Sequence, residues 1–166
     1  MPNATWRTLT QGIPRNQTTA HAAVHEAGHA TLATILFPAT IEYATIIEAG
    51  GVMGSVKYSC TNASICSRQE SMNVLAVAMA GRAAEEIEFG YSIDLGSFFD
   101  YGVVRNHLCS RNANGRRLHE SKDFLIDVAL KRAHEILVKE RELFHQIIAG
   151  LIRENRLDRA ALLALQ

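Results

Sequence analysis

The run His25-Glu26-Ala27-Gly28-His29 is an H-E-x-x-H pattern, the spacing on which catalytic zinc sites are commonly built. On a helix, two histidines four apart share a face, so both imidazoles can reach one metal ion. The glutamate beside the first can reach a water on that ion. With 7 histidines among 166 residues, roughly 0.02 random matches to the pattern are expected, so coincidence is a poor account of it. Two satisfied, half-buried histidines on an amphipathic helix would explain the pair. They would not explain the glutamate or the Ala/Gly density around it.

The flanks predict the helix that the pattern needs. Val24, Ala27, Leu32, Ile35 and Leu36 recur at helical spacing between Thr18 and Phe37, Thr18 and Thr19 offer an N-cap, and Pro38 offers a stop. Beyond it, Ile41–Glu48 is rich in β-branched residues, and Ala49-Gly50-Gly51 separates it from Val52–Tyr58, which predicts a hairpin. Ser67-Arg68-Gln69-Glu70 is a capping box opening a helix that ends at Gly90. Residues 91–97 read as a loop, and Ser97-Phe98-Phe99-Asp100 as a second box-like start for a helix to about Cys109.

Asn112–Gly115 reads as a turn, and two helical patterns follow from Ser121 to about Asn155. Leu157-Asp158 caps a last helix over Arg159–Leu165. The expected fold is a mostly α-helical α+β domain, zincin-like, with a metal helix beside a small β-sheet and a C-terminal helical bundle. Residues 1–17 read as an irregular arm and 18–166 as a single domain, with no repeat or linker to divide it.

Composition narrows the function classes. The chain is 48% hydrophobic and 20% charged, enough for one buried core, and its 17 basic residues balance 17 acidic ones. Nothing in that balance favours nucleic acid or an anionic membrane. No apolar run approaches a membrane span, and MPNATWRTLTQGIPR lacks the apolar core of a secretory signal, so a soluble, cytoplasmic protein is expected. Cys60, Cys66 and Cys109 are odd in number, without a C-x-x-C pair, and are expected as free thiols. The sequons at Asn3, Asn16 and Asn62 carry no weight without a secretory route.

A catalytic zinc takes three protein ligands, so H-E-x-x-H leaves one to be found. The residues after His29 contain no H-x-x-G-x-x-H continuation, which excludes the metzincin arrangement. A downstream carboxylate is needed, and spacing alone leaves all 5 aspartates and the 11 remaining glutamates open.

The segments AVHEAGHATL, ATIIEAGGVMGSV, MAGRAAEEIEFG, GSFFD and LDRAALLAL occur in this order. Together they resemble the peptidase domain of FtsH-type ATP-dependent zinc metalloproteases, from about residue 18 to the end. That resemblance implies a mostly helical zinc peptidase whose third ligand is an aspartate soon after the GRAAEE helix, in a G-A-S-N-D segment. Gly96-Ser97-Phe98-Phe99-Asp100 matches its first and last positions, which makes Asp100 the implied ligand and Asp94 its competitor. His25, His29 and Asp100 would then hold Zn²⁺, with Glu26 as general base.

Two phenylalanines in place of the polar pair are expected to alter the surroundings of the metal or the access to it, and the connection after Asp100 is shorter than in the family. No G-x-x-x-x-G-K-[ST] occurs, so the ATPase module of the family is not found here. The expected activity is ATP-independent endoproteolysis of unfolded or extended polypeptides. The expected partners are that polypeptide substrate and either further copies in a homo-oligomer or a separate ATPase. The alternative is a catalytically inactive relative serving as a binding or assembly module. Glu85 and Glu86 are candidates for orienting a ligand histidine, though a salt-bridged helix face suits at least one. His21 is a spare ligand position that the resemblance does not use. His107, His119, His134 and His145 read as surface or packing residues.

Overall fold

The computed structural model describes residues 17–49, 52–60, 65–92 and 94–166, with only the backbone described at 17, 18, 52 and 94–97. Residues 1–16 of the expected N-terminal arm, the Gly50-Gly51 turn and residues 61–64 therefore lie outside the described residues. In chain order the elements are α1 (Gln17–Leu36), β1 (Ile41–Ala49), β2 (Val52–Tyr58), α2 (Arg68–Phe89), α3 (Asp94–Ala113), α4 (Lys122–Lys139), α5 (Arg141–Glu154), β3 (Arg156–Asp158) and α6 (Arg159–Ala164). The result is the mostly helical α+β fold expected, with one small antiparallel sheet.

α1 is central. Every residue from Ala22 to Thr34 is buried, so the helix has no solvent face and packs against α2, α5 and the β1–β2 hairpin. Its many Ala, Gly and Thr residues follow from that position, because small side chains let neighbouring backbones come close. At Gly28 the approach is closest: a Cβ there would run into the carbonyl oxygen of Ala80 on α2. The helix begins at Gln17, so Thr18 and Thr19 lie inside its first turn and do not cap it. The larger apolar cluster joins Val24 and Leu32 of α1 to Ile41 and Ala44 of β1 and to Phe144, Ile147, Ile148 and Leu151 of α5. Each such large side chain stabilises the fold by roughly 1.5–3 kcal/mol.

α2 opens with the predicted capping box. Ser67 Oγ accepts from Glu70 N at 3.1 Å, Glu70 Oε2 accepts from Ser67 N at 2.7 Å, and Gly90 closes the helix at φ 78°. A second apolar cluster, Met72, Leu75 and Met79 of α2 with Val104 of α3 and Leu125 and Ala129 of α4, clamps α3 in place.

α3 differs from expectation. It starts at Asp94 and runs to Ala113, so Ser97 is helical and Ser97–Asp100 is not a capping box. A lone glycine such as Gly96 costs a helix only about 1 kcal/mol, which the tertiary packing of α3 overrides.

The sheet has the order β2-β1-β3. β1 pairs with β2 through Ile41↔Tyr58 and Ala44↔Val56, and with β3 through Ala44↔Leu157. β3 was missed because three residues are too few to show strand alternation, and they pair only once α5 has delivered them beside β1. Asn155, in the left-handed region at φ 60°, makes that turn, and its carbonyl accepts from Ile46 N at 2.9 Å and Thr45 Oγ1 at 3.0 Å. Asp158 caps α6 as predicted, accepting from Ala161 N at 2.9 Å. Among the described residues no helix is long and apolar enough to cross a membrane.

Candidate metal centre

His25, Glu26 and His29 lie on the buried length of α1, 9%, 6% and 8% exposed. Both imidazoles face α2. His29 Nδ1 donates to the carbonyl oxygen of Val77 at 2.7 Å, and His25 Nδ1 donates to Glu85 Oε1 at 3.0 Å. A carbonyl can only accept, so the hydrogen of a neutral His29 is on Nδ1 and its Nε2 carries a lone pair. The carboxylate places the hydrogen of His25 in the same way. The two Nε2 atoms then meet at 3.0 Å.

α3 completes the group. Asp100 Oδ2 lies 3.2 Å from His25 Nε2 and Oδ1 lies 3.4 Å from His29 Nε2. One ligand atom from each of the three residues falls within 4.8 Å of the others. Oδ2 is buried without a hydrogen-bond partner, which agrees with a lone pair rather than a hydrogen on the nearest Nε2. Two imidazole lone pairs and a carboxylate converging with no donor among them repel one another unless a cation sits between them.

The glycine at position 81 of α2 lets the rings come this close to that helix: a Cβ there would stand 2.5 Å from both Nε2 atoms. Two nitrogens and one carboxylate oxygen, buried and converging, fit a zinc-type ion.

The electrostatics describe the same demand for positive charge. Burial pulls His25 down, but the neighbouring carboxylates of Asp100 and Glu85 outweigh it and push it up to about 10. His29 is also raised: burial opposes its charge, and Asp100 outweighs the burial. Asp100 is held below the usual carboxylate range, because the pull of the adjacent His29 and His25 exceeds the cost of its burial. Without a metal the cluster draws protons into the same space.

Glu26 stands apart from this set. Burial lifts its carboxyl above the ordinary value, against the pull of His29 and His25. Its nearest flank is β2: a Cβ at Gly54 would lie 2.6 Å from Glu26 Cγ and 2.8 Å from Oε1. Gly54 also has φ 91°, a conformation that favours glycine, so backbone and contact both exclude a side chain there. β2 is the outer strand of the sheet among the described residues, and it passes directly over the carboxylate.

Other sequence candidates fall elsewhere. Asp94 is the first residue of α3, six positions and about 9 Å of helical rise before Asp100, and its side chain lies outside the description. Phe98 and Phe99 are 70% and 59% exposed and contact each other edge to face. At about 100° per residue they point to other sides of α3 than Asp100. His21 meets Phe89 and Tyr91 and does not join the cluster.

The two candidate glutamates divide the roles. Glu85 orients His25, while Glu86 pairs with Arg82 at 2.7 Å and His134 at 2.8 Å. His145 pairs with Glu88 at 2.8 Å. His107 is buried, with Nε2 3.0 Å from Ser71 Oγ, beside Cys66 and an Arg111 guanidinium that also reaches Ser71 and the Cys66 carbonyl. Cys66 is buried with Ser71 and Arg111 against its sulfur, and Cys60 and Cys109 are exposed. Sequence reasoning did not single out Val77 or Gly81. The first acts through a backbone carbonyl, which no residue type signals, and the second through an atom that it lacks.

A buried H-E-x-x-H helix, with an aspartate brought to it by a later helix, defines a zincin-like helical domain. The model of peptidase family M41 matches residues 13–109, and the chain belongs to that family. It is 30% identical over 168 aligned positions to the ATP-dependent zinc metalloprotease FtsH 3 of Sphaerobacter thermophilus, an alignment covering 86% of this chain and 34% of that protein. It is 39% identical over 69 positions to the ATP-dependent zinc metalloprotease FtsH 2 of a Thermoanaerobacter species, covering 41% of this chain and 14% of that protein. The chain thus spans about a third of the first relative and less of the second.

Proposed function

We propose that this domain is a zinc-dependent endopeptidase that cleaves unfolded or extended polypeptides, with His25, His29 and Asp100 holding the metal. The observation that carries the reading is the convergence of His25, His29 and Asp100, with ligand atoms within 4.8 Å of one another and Asp100 Oδ2 buried without a hydrogen-bond partner. Zinc supplies Lewis acidity, polarising a scissile carbonyl and lowering the pKa of a water to about 7.

The residues of the chain do the rest. Glu85 and the Val77 carbonyl keep both Nε2 lone pairs turned inward. Glu26, buried and held above its ordinary pKa, takes a proton from the attacking water and passes it to the leaving amine. β2 offers an outer strand to which an extended substrate adds by backbone hydrogen bonds, and Gly54 brings that strand close over Glu26. Such binding reads an extended backbone more than a sequence. The domain's proposed partners are that polypeptide substrate together with further copies of the chain or an ATPase that delivers it.

The deciding experiment pairs metal analysis with hydrolysis of an unfolded protein, for the wild type, the His25→Ala/His29→Ala double variant and Glu26→Gln. Stoichiometric zinc and cleavage in the wild type, neither in the double variant, and zinc without cleavage in Glu26→Gln are expected. Full zinc in the double variant would end the metal assignment. A zinc-loaded wild type inert on a broad panel of unfolded substrates would make the domain a binding or assembly module instead.

A further inference from the structure

Val77, Gly81 and Glu85 are spaced four apart on α2 and share one stripe of that helix, the stripe that faces His25 and His29. The outer two each hold an imidazole, Val77 through its carbonyl at 2.7 Å from His29 Nδ1 and Glu85 through its carboxylate at 3.0 Å from His25 Nδ1. Gly81, between them, holds nothing. An ideal Cβ on it would lie 2.5 Å from His25 Cε1, from His25 Nε2 and from His29 Nε2.

Neither the backbone nor helix stability accounts for this glycine. Gly54, Gly90 and Gly115 have positive φ, but Gly81 does not, so alanine could adopt its conformation. In the middle of a 22-residue helix, glycine is less stable than alanine by about 1 kcal/mol. Nor does close packing of two backbones require it, as it does at Gly28, where a Cβ would meet the Ala80 carbonyl. The atoms in the way at position 81 are the far ends of two imidazoles. A Cβ at 81 would therefore overlap both imidazoles at the nitrogens that face Asp100.

We infer that Gly81 is a positioning residue: its missing side chain lets both imidazoles lie against the α2 backbone with their Nε2 atoms converged, so that a Cβ at this position would force them apart and weaken metal binding. The inference rests on the zinc reading above. It assigns the glycine to metal binding rather than to folding. In Gly81→Ala the imidazoles swing aside at little cost to the fold, and the lone pairs no longer converge.

The test measures zinc binding and stability together, on the full 166-residue chain. Wild type, Gly81→Ala and Gly28→Ala are stripped of metal, checked by far-UV circular dichroism and thermal unfolding, then titrated with Zn²⁺ and with Co²⁺, whose visible absorption reports the ligand set. Metal-free Gly81→Ala should be folded and unfold no lower than the wild type. It should bind zinc at least about 100-fold more weakly, beyond the range of an ordinary supporting contact, and lack the cobalt spectrum. Gly28→Ala should lose thermal stability with or without metal.

A Gly81→Ala variant that binds zinc within a few-fold of the wild type overturns the inference alone. So does one whose metal-free form is unfolded or less stable than the wild type, since the glycine would then serve packing. A wild type that binds no zinc overturns the metal reading and this inference together.

Discussion

Glu85 on α2 accepts a hydrogen bond from His25 Nδ1 at 3.0 Å, joining the GRAAEE helix to the HEAGH helix at the metal group itself. Sixty residues separate the two in sequence, so the bond forms only when α1 and α2 pack, and the close crossing at Gly28 sets that packing. The pair fixes which imidazole nitrogen carries the hydrogen and therefore which can bind a cation.

Glu85→Gln should consequently weaken zinc binding about 10–100-fold while leaving the helical circular dichroism intact, because an amide can accept from Nδ1 but brings no charge to it. Competition against a chromophoric chelator measures this directly. Unchanged affinity would reduce Glu85 to a packing residue.

Asp100→Ala should lower zinc affinity far more than Asp94→Ala, because the Asp100 carboxylate lies 3.2 and 3.4 Å from the two Nε2 atoms. Asp100→Asn should fall between wild type and alanine, since the amide keeps an oxygen donor but loses the charge. Equilibrium dialysis of the three variants ranks them. Asp94→Ala as the most damaging would reassign the ligand.

Much of this was legible in the sequence, and the misses share a cause. The capping boxes and turns carry local signals, so Ser67, Gly90 and Asp158 fall where the chain predicts them. The metal group was legible because H-E-x-x-H fixes two residues on one helical face. Asp100 was reachable only through a resemblance, since spacing alone left all 5 aspartates and the 11 glutamates besides Glu26 open. The start of α3 was misplaced because Ser97, three residues after the actual start at Asp94, imitates a cap. β3, the Val77 carbonyl and the close approach at Gly81 depend on tertiary contact alone.

The Arg82–Glu86–His134 group predicts a pH-dependent stability. Burial pushes the Glu86 carboxyl up, but hydrogen bonds from Arg82 and His134 outweigh it and hold the carboxyl below its ordinary 4.5. A depressed acid contributes stability that is complete above 4.5 and is lost as the pH falls through the lower folded value. Glu86→Gln should therefore be less stable than the wild type by about 1 kcal/mol at pH 7, a modest figure for a partly exposed pair. The difference should shrink as the pH falls below 4.5, read from urea midpoints across the range. A gap independent of pH would mean that shape and not charge is at work.

The last prediction concerns the strand edge over the base. Gly54 passes so close to Glu26 that any side chain there must displace the carboxylate, yet no metal-binding atom lies among the nearest contacts. Gly54→Ala should therefore keep stoichiometric zinc while lowering the cleavage rate of an unfolded substrate by about 10²-fold or more, as small misplacements of catalytic groups do. Glu26→Gln should likewise keep zinc and lose cleavage altogether, because the amide cannot take up the proton. A glycine-to-proline change at the same position would confuse strand loss with base displacement, so alanine is the informative substitution. Metal analysis and hydrolysis must be run on the same preparations. If Gly54→Ala cleaves as fast as the wild type, the outer strand does not position the base, and substrate must approach Glu26 from another side.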